Sequence, residues 1–299
     1  MGLYQLAKNN RVVQKIYEPV KRRFRGQEPV YYLFDSVVRP FFSWLILKSA
    51  RARFAILTLC DDILFENQSK GQERVSEETI KRFGASDYHY GDQQLDTGIP
   101  IEQRLSGQIL PILEPLLAIP DVKIVLEIGC GNGLIAERLA RQHPNMKFIG
   151  IDFAVPKSSP GRFPDNLEFR AGYALDLLEP EQFPVSPDVV YFQFTATKFL
   201  PREILGYFAK FRKLGVRFVA LSEPTRKNYP IKLNEDDTAS KYLDGRIWKH
   251  DYSGIARANG YYITDFRFQH WSELIEKRFN RARLDSYIVR MAAELRTQG

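Results

Sequence analysis

Short apolar runs alternate with helical patterns in the C-terminal part of the chain. Runs rich in aliphatic and aromatic residues predict seven strands, at residues 122–128, 147–151, 167–170, 188–193, 216–221, 261–268 and 286–291. Helical spacing of apolar residues predicts helices over residues 134–142, 201–213 and 252–259. This alternation is typical of an α/β fold with a doubly wound, mostly parallel, seven-stranded Rossmann-like sheet. Because no long helix joins the last two strands, we expect one of them to run antiparallel at the edge.

The remainder of the chain divides into two further regions. Residues 1–70 are basic and aromatic-rich, and we interpret them as an N-terminal helical extension, either a cap or a membrane-surface segment. Residues 71–120 are interpreted as a partly helical connecting segment, and residues 121–299 as the domain that carries the sheet. We find no internal repeat or low-complexity tract.

A glycine-rich turn follows the first predicted strand. Gly129, Gly131 and Gly133 stand between that strand and the predicted helix, where glycine lets the backbone turn tightly and approach a ligand. In open α/β sheets, ligands bind beyond the carboxyl ends of the strands. Leu134 occupies the place of the third glycine in the dinucleotide pattern G-x-G-x-x-G, so a pyrophosphate fits this turn poorly.

Two carboxylates accompany the turn. Glu127 lies two residues before the first glycine, where it would repel a phosphate but can pair with an ammonium group. Asp152 closes the second predicted strand, where its carboxylate can accept hydrogen bonds from both hydroxyls of a ribose. A ligand with an ammonium group, a ribose and no phosphate matches S-adenosyl-L-methionine (SAM).

The pattern Glu127-x-Gly129-x-Gly131-x-Gly133, with Asp152 closing the second strand, resembles the class I SAM-dependent methyltransferase family. The resemblance extends over residues 120–299. It implies SAM as cofactor, with the glycine turn facing the methionine part and Asp152 binding the ribose.

The resemblance also implies a set of cofactor-binding residues. Phe153 would pack on the adenine, and Gln193 and Phe194 would flank the methionine and the acceptor. Tyr173 stands where the family often has an acidic residue, so backbone groups or Asp176 are candidates to replace that contact. The full predicted set is Glu127, Gly129, Cys130, Gly131, Gly133, Asp152, Phe153, Gly172, Tyr173, Ala174, Gln193 and Phe194.

Two residues are candidate general bases for methyl transfer to a hydroxyl. His250 precedes a predicted helix, and its side chain suits proton removal near neutral pH. The alternative is that Asp251 caps the helix and His250 is a surface neighbour. Glu223, at the end of the fifth predicted strand, is the second candidate, with capping or acceptor binding as alternatives.

Acceptor binding is predicted at four residues outside the cofactor set. Tyr88 and Tyr90 lie upstream of the sheet, Thr195 follows the fourth strand, and Tyr229 lies in a long insertion, residues 224–249. A polar lid over the acceptor is one interpretation of this insertion, and an ordered surface loop is the other. For Thr195, helix capping is the alternative.

The acceptor class follows partly from motifs that are missing. Residues 193–196 read Gln-Phe-Thr-Ala, so the motif of amino-methylating DNA enzymes is absent. Cys60 and Cys130 do not provide the nucleophile of the cytosine-C5 type, and no metal site of the catechol type is predicted. The prediction is a small-molecule, sugar or lipid-linked acceptor, methylated on oxygen. Residues 248–252 faintly resemble sugar O-methyltransferases.

Two functions from other classes remain open. One is a non-catalytic SAM-binding module that acts as a membrane or RNA adaptor through its basic end. The other is a nicotinamide-dependent oxidoreductase with Asp152 on the ribose, against which Leu134 counts.

The net charge of +7 is concentrated near the N-terminus. Residues 1–60 hold eleven of the 43 Lys and Arg residues but three of the 36 Asp and Glu residues. Cations beside the apolar residues 40–47 are typical of a segment attracted to an anionic membrane surface, whereas nucleic acid is disfavoured for want of an RNA-binding motif. The two cysteines and the lack of a signal peptide predict a cytoplasmic protein, free or peripheral at the inner face of a membrane.

Overall fold

The computed structural model describes residues 105–153, 163–179, 183–226, 240–243, 247–270 and 286–296. Apart from Tyr242, Leu243 and Ile247, these residues belong to one compact unit of the chain. The N-terminal extension, the connecting segment up to residue 104 and most of the predicted lid lie outside the described residues. No helix in the described part of the chain is long and apolar enough to cross a membrane.

The described elements follow the predicted alternation of strands and helices. The helices are α1 (Leu110–Leu117), α2 (Leu134–Gln142), α3 (Ala174–Leu177), α4 (Pro201–Leu214) and α5 (Tyr252–Ala258), with 3-10 turns at Leu105–Ile109 and Ala196–Lys198. The strands are β1 (Ile124–Ile128), β2 (Lys147–Asp152), β3 (Leu167–Ala171), β4 (Val189–Gln193), β5 (Phe218–Arg226), β6 (Ser240–Leu243), β7 (Ile247–His250), β8 (Tyr261–His270) and β9 (Ser286–Leu295).

Seven strands form one sheet in the order β3-β2-β1-β4-β5-β9-β8, and β6 pairs with β7 separately. The pairs among β1 to β5 are all parallel. β9 runs antiparallel to both of its neighbours and lies between β5 and β8. The predicted mostly parallel, seven-stranded sheet is therefore confirmed, but the expectation of an antiparallel edge strand is wrong. The antiparallel strand is an interior one, because β8 enters the sheet only through β9.

Both faces of the sheet are covered, as expected for a doubly wound fold. α1 and α2 pack on one face, where residues such as Leu113, Leu139 and Tyr191 form a buried cluster. α3, α4 and α5 pack on the other, where Phe192 meets the aromatic rings of Phe199 and Tyr207 at centroid distances of 5.8 and 5.9 Å. The near-continuous apolar strands are explained by burial on both faces.

The topology determines where a ligand can bind. The strand order reverses between β1 and β4, and in open α/β sheets the crevice at such a point receives the ligand. The turns that follow β1 and β4 meet there. β5 is longer than predicted and reaches Arg226, so the start of the predicted insertion is strand, as is its end in β7.

Candidate active site

The glycine turn, residues 129–133, connects β1 to α2 through backbone conformations that favour glycine. Gly129, Gly131 and Gly133 have φ angles of 76°, 54° and 73°, a region that other residues rarely adopt. A Cβ atom added to Gly131 would meet no atom within 4 Å. The turn therefore faces open space at Gly131.

The end of β2 holds the glycine turn in place. The backbone amides of Gly129 and Cys130 donate to the carbonyl of Ile151 at 2.7 and 3.2 Å, and the amide of Gly131 donates to Asp152 Oδ2 at 2.8 Å. The Cys130 side chain is buried. The structure thus brings the predicted glycines and Asp152 together.

Glu127 is a buried carboxylate one residue before the end of β1, opposite Tyr191 on β4. Burial raises the pKa of Glu127 to about 8; the Tyr191 hydroxyl offsets part of this shift and the Asp152 carboxylate adds to it. Within the described residues, Glu127 Oε2 has no hydrogen-bond partner. A buried acceptor oxygen of this kind favours a cationic ligand group, because a cation would stabilise the ionised form.

The predicted adenine-side residues also lie together. The rings of Phe153 and Tyr173 stack with centroids 5.7 Å apart, and the Gly172 amide donates to the Asp152 carbonyl at 2.9 Å. Tyr173 precedes α3, which begins at the buried Ala174. The Tyr173 hydroxyl donates to Glu203, a residue that sequence reasoning missed.

Glu203 is a buried carboxylate in the first turn of α4. Its Oε2 accepts a hydrogen bond from the Leu200 amide at 2.6 Å, so it caps the helix while it holds Tyr173. The capping role of Glu203 is visible in the sequence, since Pro201 at the first helical position with Glu203 two residues later is a helix-start pattern. The tyrosine partner, 30 residues away, left no signal in the sequence.

The β4 turn, residues 194–198, is held by a buried carboxylate. Glu223 Oε1 accepts hydrogen bonds from the amides of Thr195 and Ala196 at 3.0 and 2.9 Å, and Oε2 accepts one from Thr197 at 3.3 Å. Burial raises the pKa of Glu223 to about 7, and these amides limit the rise. Phe194 begins the turn with a φ of 55°, which is unusual for a bulky residue.

His250 holds the same turn from its other side. The ring Nε2 lies 3.1 Å from the carbonyl oxygen of Ala196 in a hydrogen bond, so the proton is on Nε2. Burial lowers the pKa of His250 to about 3.

The side chain of Asp251 accepts a hydrogen bond from the Gly254 amide at the start of α5. The alternative that Asp251 caps the helix is confirmed, while the accompanying idea of His250 as a surface neighbour is wrong because His250 is fully buried.

The two turns are in direct contact through Thr195. Its Oγ1 donates to the carbonyl oxygens of Gly129, at 3.2 Å, and Gln193, at 3.1 Å. A Cβ atom added to Gly129 would lie 2.2 Å from the Thr195 side chain. The close approach of the β4 turn therefore requires glycine at residue 129.

Residues 121–271, about half of the chain, match a family model described as a methyltransferase domain. The chain belongs to this family. The predictions of a class I SAM-dependent methyltransferase and of SAM as its cofactor are confirmed, and the nicotinamide alternative is disfavoured.

This methyltransferase is also similar to solved structures. One is a 1,6-didemethyltoxoflavin N1-methyltransferase of Burkholderia thailandensis, 15% identical over 73% of this chain and 88% of that chain, with a TM-score of 0.48. A second is magnesium protoporphyrin IX methyltransferase of Synechocystis PCC 6803, with 15% identity, coverages of 74% and 100% and a TM-score of 0.48. A third is the antibiotic-resistance methyltransferase Kmr, with 18% identity, coverages of 62% and 92% and a TM-score of 0.39. A comparison with curated proteins found no match.

The described residues of this methyltransferase fit SAM. The unpartnered Glu127 oxygen suits its ammonium group, and the open space at Gly131 leaves room beside Asp152. Of the predicted acceptor residues, Thr195 lies at the site, whereas Tyr88, Tyr90 and Tyr229 lie outside the described residues. The catalytic roles of His250 and Glu223 stay predictions.

Proposed function

We propose that this methyltransferase transfers the methyl group of SAM to an oxygen atom of a small-molecule, sugar or lipid-linked acceptor. The observation that carries the SAM part of the site is the unpartnered, buried Glu127 oxygen beside the open glycine turn. In this proposal Glu127 pairs with the ammonium group, Asp152 binds the ribose hydroxyls, and Phe153 packs on the adenine.

SAM supplies a methyl group that is already activated by its sulfonium sulfur. The protein then contributes alignment and exclusion of water rather than activation. The contact between Thr195 and Gly129 supports this division of work, because it fixes the β4 turn against the glycine turn. Gln193 ends β4 and Phe194 begins the β4 turn. In this proposal both residues flank the methyl group and the acceptor oxygen.

Glu223 and His250 are proposed to position the β4 turn rather than to remove a proton. Glu223 binds three backbone amides of this turn and His250 binds one of its carbonyls, and both side chains are fully buried. A general base must reach the proton that it abstracts, whereas Glu223 uses both carboxylate oxygens on backbone amides and His250 is fixed to a backbone carbonyl through Nε2. We therefore propose an acceptor oxygen that is ionised when it reacts, since such an oxygen requires alignment but no base.

The donor half of the proposal is tested with Asp152→Ala. Loss of the ribose hydrogen bonds should weaken SAM binding by about 1–3 kcal/mol, measured by titration calorimetry. Asp165→Ala is the matched control, because Asp165 is an exposed aspartate of the turn before β3. Equal affinity of Asp152→Ala and the wild-type protein would contradict the ribose assignment.

The acceptor half is tested with SAM labelled on its methyl group. The protein is incubated with a cell extract, and lipid, polysaccharide, nucleic-acid, protein and small-molecule fractions are then separated. We expect label in the small-molecule, polysaccharide or lipid fraction, in a product that keeps the methyl group on oxygen. Label confined to nucleic acid or protein would overturn the acceptor class, and SAM binding without label would favour a non-catalytic module.

A further inference from the structure

Arg290 is a buried arginine in the interior strand β9, and the methyl-transfer chemistry proposed above makes no use of it. Its residue is 4% exposed. Arg290 pairs with Ser222 on β5 and with Arg267 on β8, and Ser222 pairs in turn with Gln193, the last residue of β4. Arg290 therefore lies in the sheet row that passes through the end of β4, at the level of the candidate active site.

The row faces the same side of the sheet as Glu127. Tyr191, Ala220 and Ala292 belong to the buried cluster on the α1 and α2 face. Because side chains alternate along a strand, Ser222 and Arg290, each two residues from a member of that cluster, share this face. Residues directly opposite each other in an antiparallel pair have Cβ atoms about 5 Å apart, so the Ser222 and Arg290 side chains leave the sheet side by side.

Arg290 and Ser222 each hold a buried hydrogen-bond donor that has no acceptor within the described residues. A terminal nitrogen of Arg290 donates to Gln269 Oε1, but within the described residues neither Arg290 Nε nor Ser222 Oγ has a hydrogen-bond partner. Among the ion pairs of the described ranges, none includes Arg290, whereas the exposed Arg267 pairs with Asp265 at 2.7 Å. Burial lowers the pKa of Arg290, Arg267 lowers it further, and Asp265 offsets part of this shift. Within the described ranges, a buried guanidinium that forms no ion pair with a carboxylate favours an anionic ligand.

The carboxylate of SAM is not the anion that this geometry fits. Glu127 on β1 and Arg290 on β9 are three strand positions apart, which is about 14 Å at the usual strand spacing. The guanidinium is directed away from β1, because it donates to Gln269 on β8. The ammonium and carboxylate groups of SAM share one carbon atom and cannot bridge this separation. The anion must therefore belong to another molecule.

We propose that Arg290 and Ser222 form an acceptor subsite that binds a carboxylate or phosphate group remote from the methylated atom. This inference rests on the proposed methyltransferase function and adds the charge class of the acceptor. The acceptor would lie along the row from Gln193 to Arg290, with its reacting oxygen at the β4 turn and its anionic group at β9.

The anion subsite is tested on the full-length protein saturated with S-adenosylhomocysteine (SAH). Inorganic phosphate and acetate are compared with chloride at equal ionic strength, and the melting temperature is measured. We expect at least one of the two anions to raise the melting temperature of the wild-type protein, and Arg290→Gln to abolish this rise. A rise with phosphate alone identifies a phosphate site, and a rise with acetate alone a carboxylate site. No rise in the wild-type protein, or an equal rise in Arg290→Gln, would overturn the subsite.

Arg267→Gln is the matched control, because Arg267 is the exposed register partner of Arg290, and it should keep the rise. If Arg290→Gln fails to bind SAH, Ser222→Ala removes the other buried donor and should reduce the rise, whereas an unchanged rise contradicts the proposal.

With labelled SAM and limiting extract, Arg290→Gln should lower incorporation about tenfold or more, into a product retained by an anion exchanger. A product that is not retained would also overturn the inference. The melting temperature tests anion binding without any methyl transfer. If the proposed function fails, no labelled product forms in the extract, and this result is independent of the melting measurement.

Discussion

The glycine turn and the β4 turn lie in contact, yet they obtain their shapes in different ways. Residues 129–133 reach left-handed backbone conformations because glycine has no Cβ atom. Residues 194–198 contain no glycine, and Glu223 and His250 hold them through hydrogen bonds to backbone groups. One turn depends on backbone freedom, and the other on two buried side chains from later in the chain.

This difference determines how each turn responds to mutation. A turn that depends on glycine is sensitive at its own residues, through steric overlap and backbone strain. A turn held by remote side chains is sensitive 28 and 54 residues away, where Glu223 and His250 stand. The difference also indicates that the β4 turn can shift only if two buried contacts break, which suits a turn that aligns an acceptor.

The largest effect is expected for Gly129→Ala. The added Cβ would lie 2.2 Å from Thr195 atoms, and a left-handed φ of 76° adds backbone strain. We expect a loss of about 4 kcal/mol in the free energy of unfolding, measured by urea denaturation.

Two variants separate the steric part of this loss from the strain. Gly131→Ala is the matched control, since Gly131 also has a positive φ but no atom within 4 Å of an added Cβ, and it should cost about 1 kcal/mol. In a Thr195→Gly background, Gly129→Ala should cost no more than Gly131→Ala. An equal loss from Gly129→Ala with and without Thr195 would show that the turns do not meet as described.

A smaller loss is expected when the β4 turn loses its carboxylate. Glu223→Ala leaves three backbone amides of the turn without their acceptor and should cost about 3 kcal/mol, again measured by urea denaturation. Glu223→Gln keeps one acceptor oxygen and should recover more than half of this loss.

The same pair of variants tests positioning against proton removal. If Glu223 positions the turn, Glu223→Gln should retain methyl transfer within about tenfold of the wild-type rate, with an unchanged pH profile. If Glu223 is a general base, the rate should fall by about 10²-fold or more, because the amide cannot accept the proton. The second result would reject the positioning role.

The smallest effect, taken per pH unit, concerns the carboxylate beside the glycine turn. The pKa of Glu127 is about 8 in the folded protein and about 4.5 in the unfolded chain, so the folded state holds a proton that the unfolded state releases. Stability from this residue is therefore complete below pH 4.5 and is lost as the pH rises to about 8, with a slope of at most about 1.4 kcal/mol per pH unit.

Glu127→Gln should remove this part of the pH dependence. The difference in unfolding free energy between the variant and the wild-type protein, measured by urea denaturation from pH 5 to 9, should favour the variant increasingly up to about pH 8 and then level off. A constant difference across this range would mean that Glu127 ionises in the folded protein as it does in the unfolded chain.

The features that the sequence predicted are those determined by local pattern. α2 was predicted with its observed bounds, and Gly129, Gly131 and Asp152 were expected at one site because glycine spacing and strand ends are visible in a single chain. These features need no knowledge of distant contacts. The donor half of the site was accordingly predictable.

The features that the sequence did not reveal depend on contacts between distant residues. The interior position of β9 follows from pairing with β5 and β8, which no local pattern encodes. Glu223 was assigned as a candidate base because a carboxylate at a strand end also suits that role, and its three amide partners lie on another turn. The place of Arg290 beside Ser222 follows from the pairing of β9 with β5, which the sequence of β9 alone does not encode.

The interior position of β9 also has a consequence for biosynthesis. β8 emerges from the ribosome before β9, yet β8 has no other strand partner in the seven-stranded sheet. The open edge of β5 and the isolated β8 therefore stay exposed until residues 286–295 are translated. During that interval the nascent chain presents two unpaired strand edges, the surfaces through which partly made proteins associate with one another.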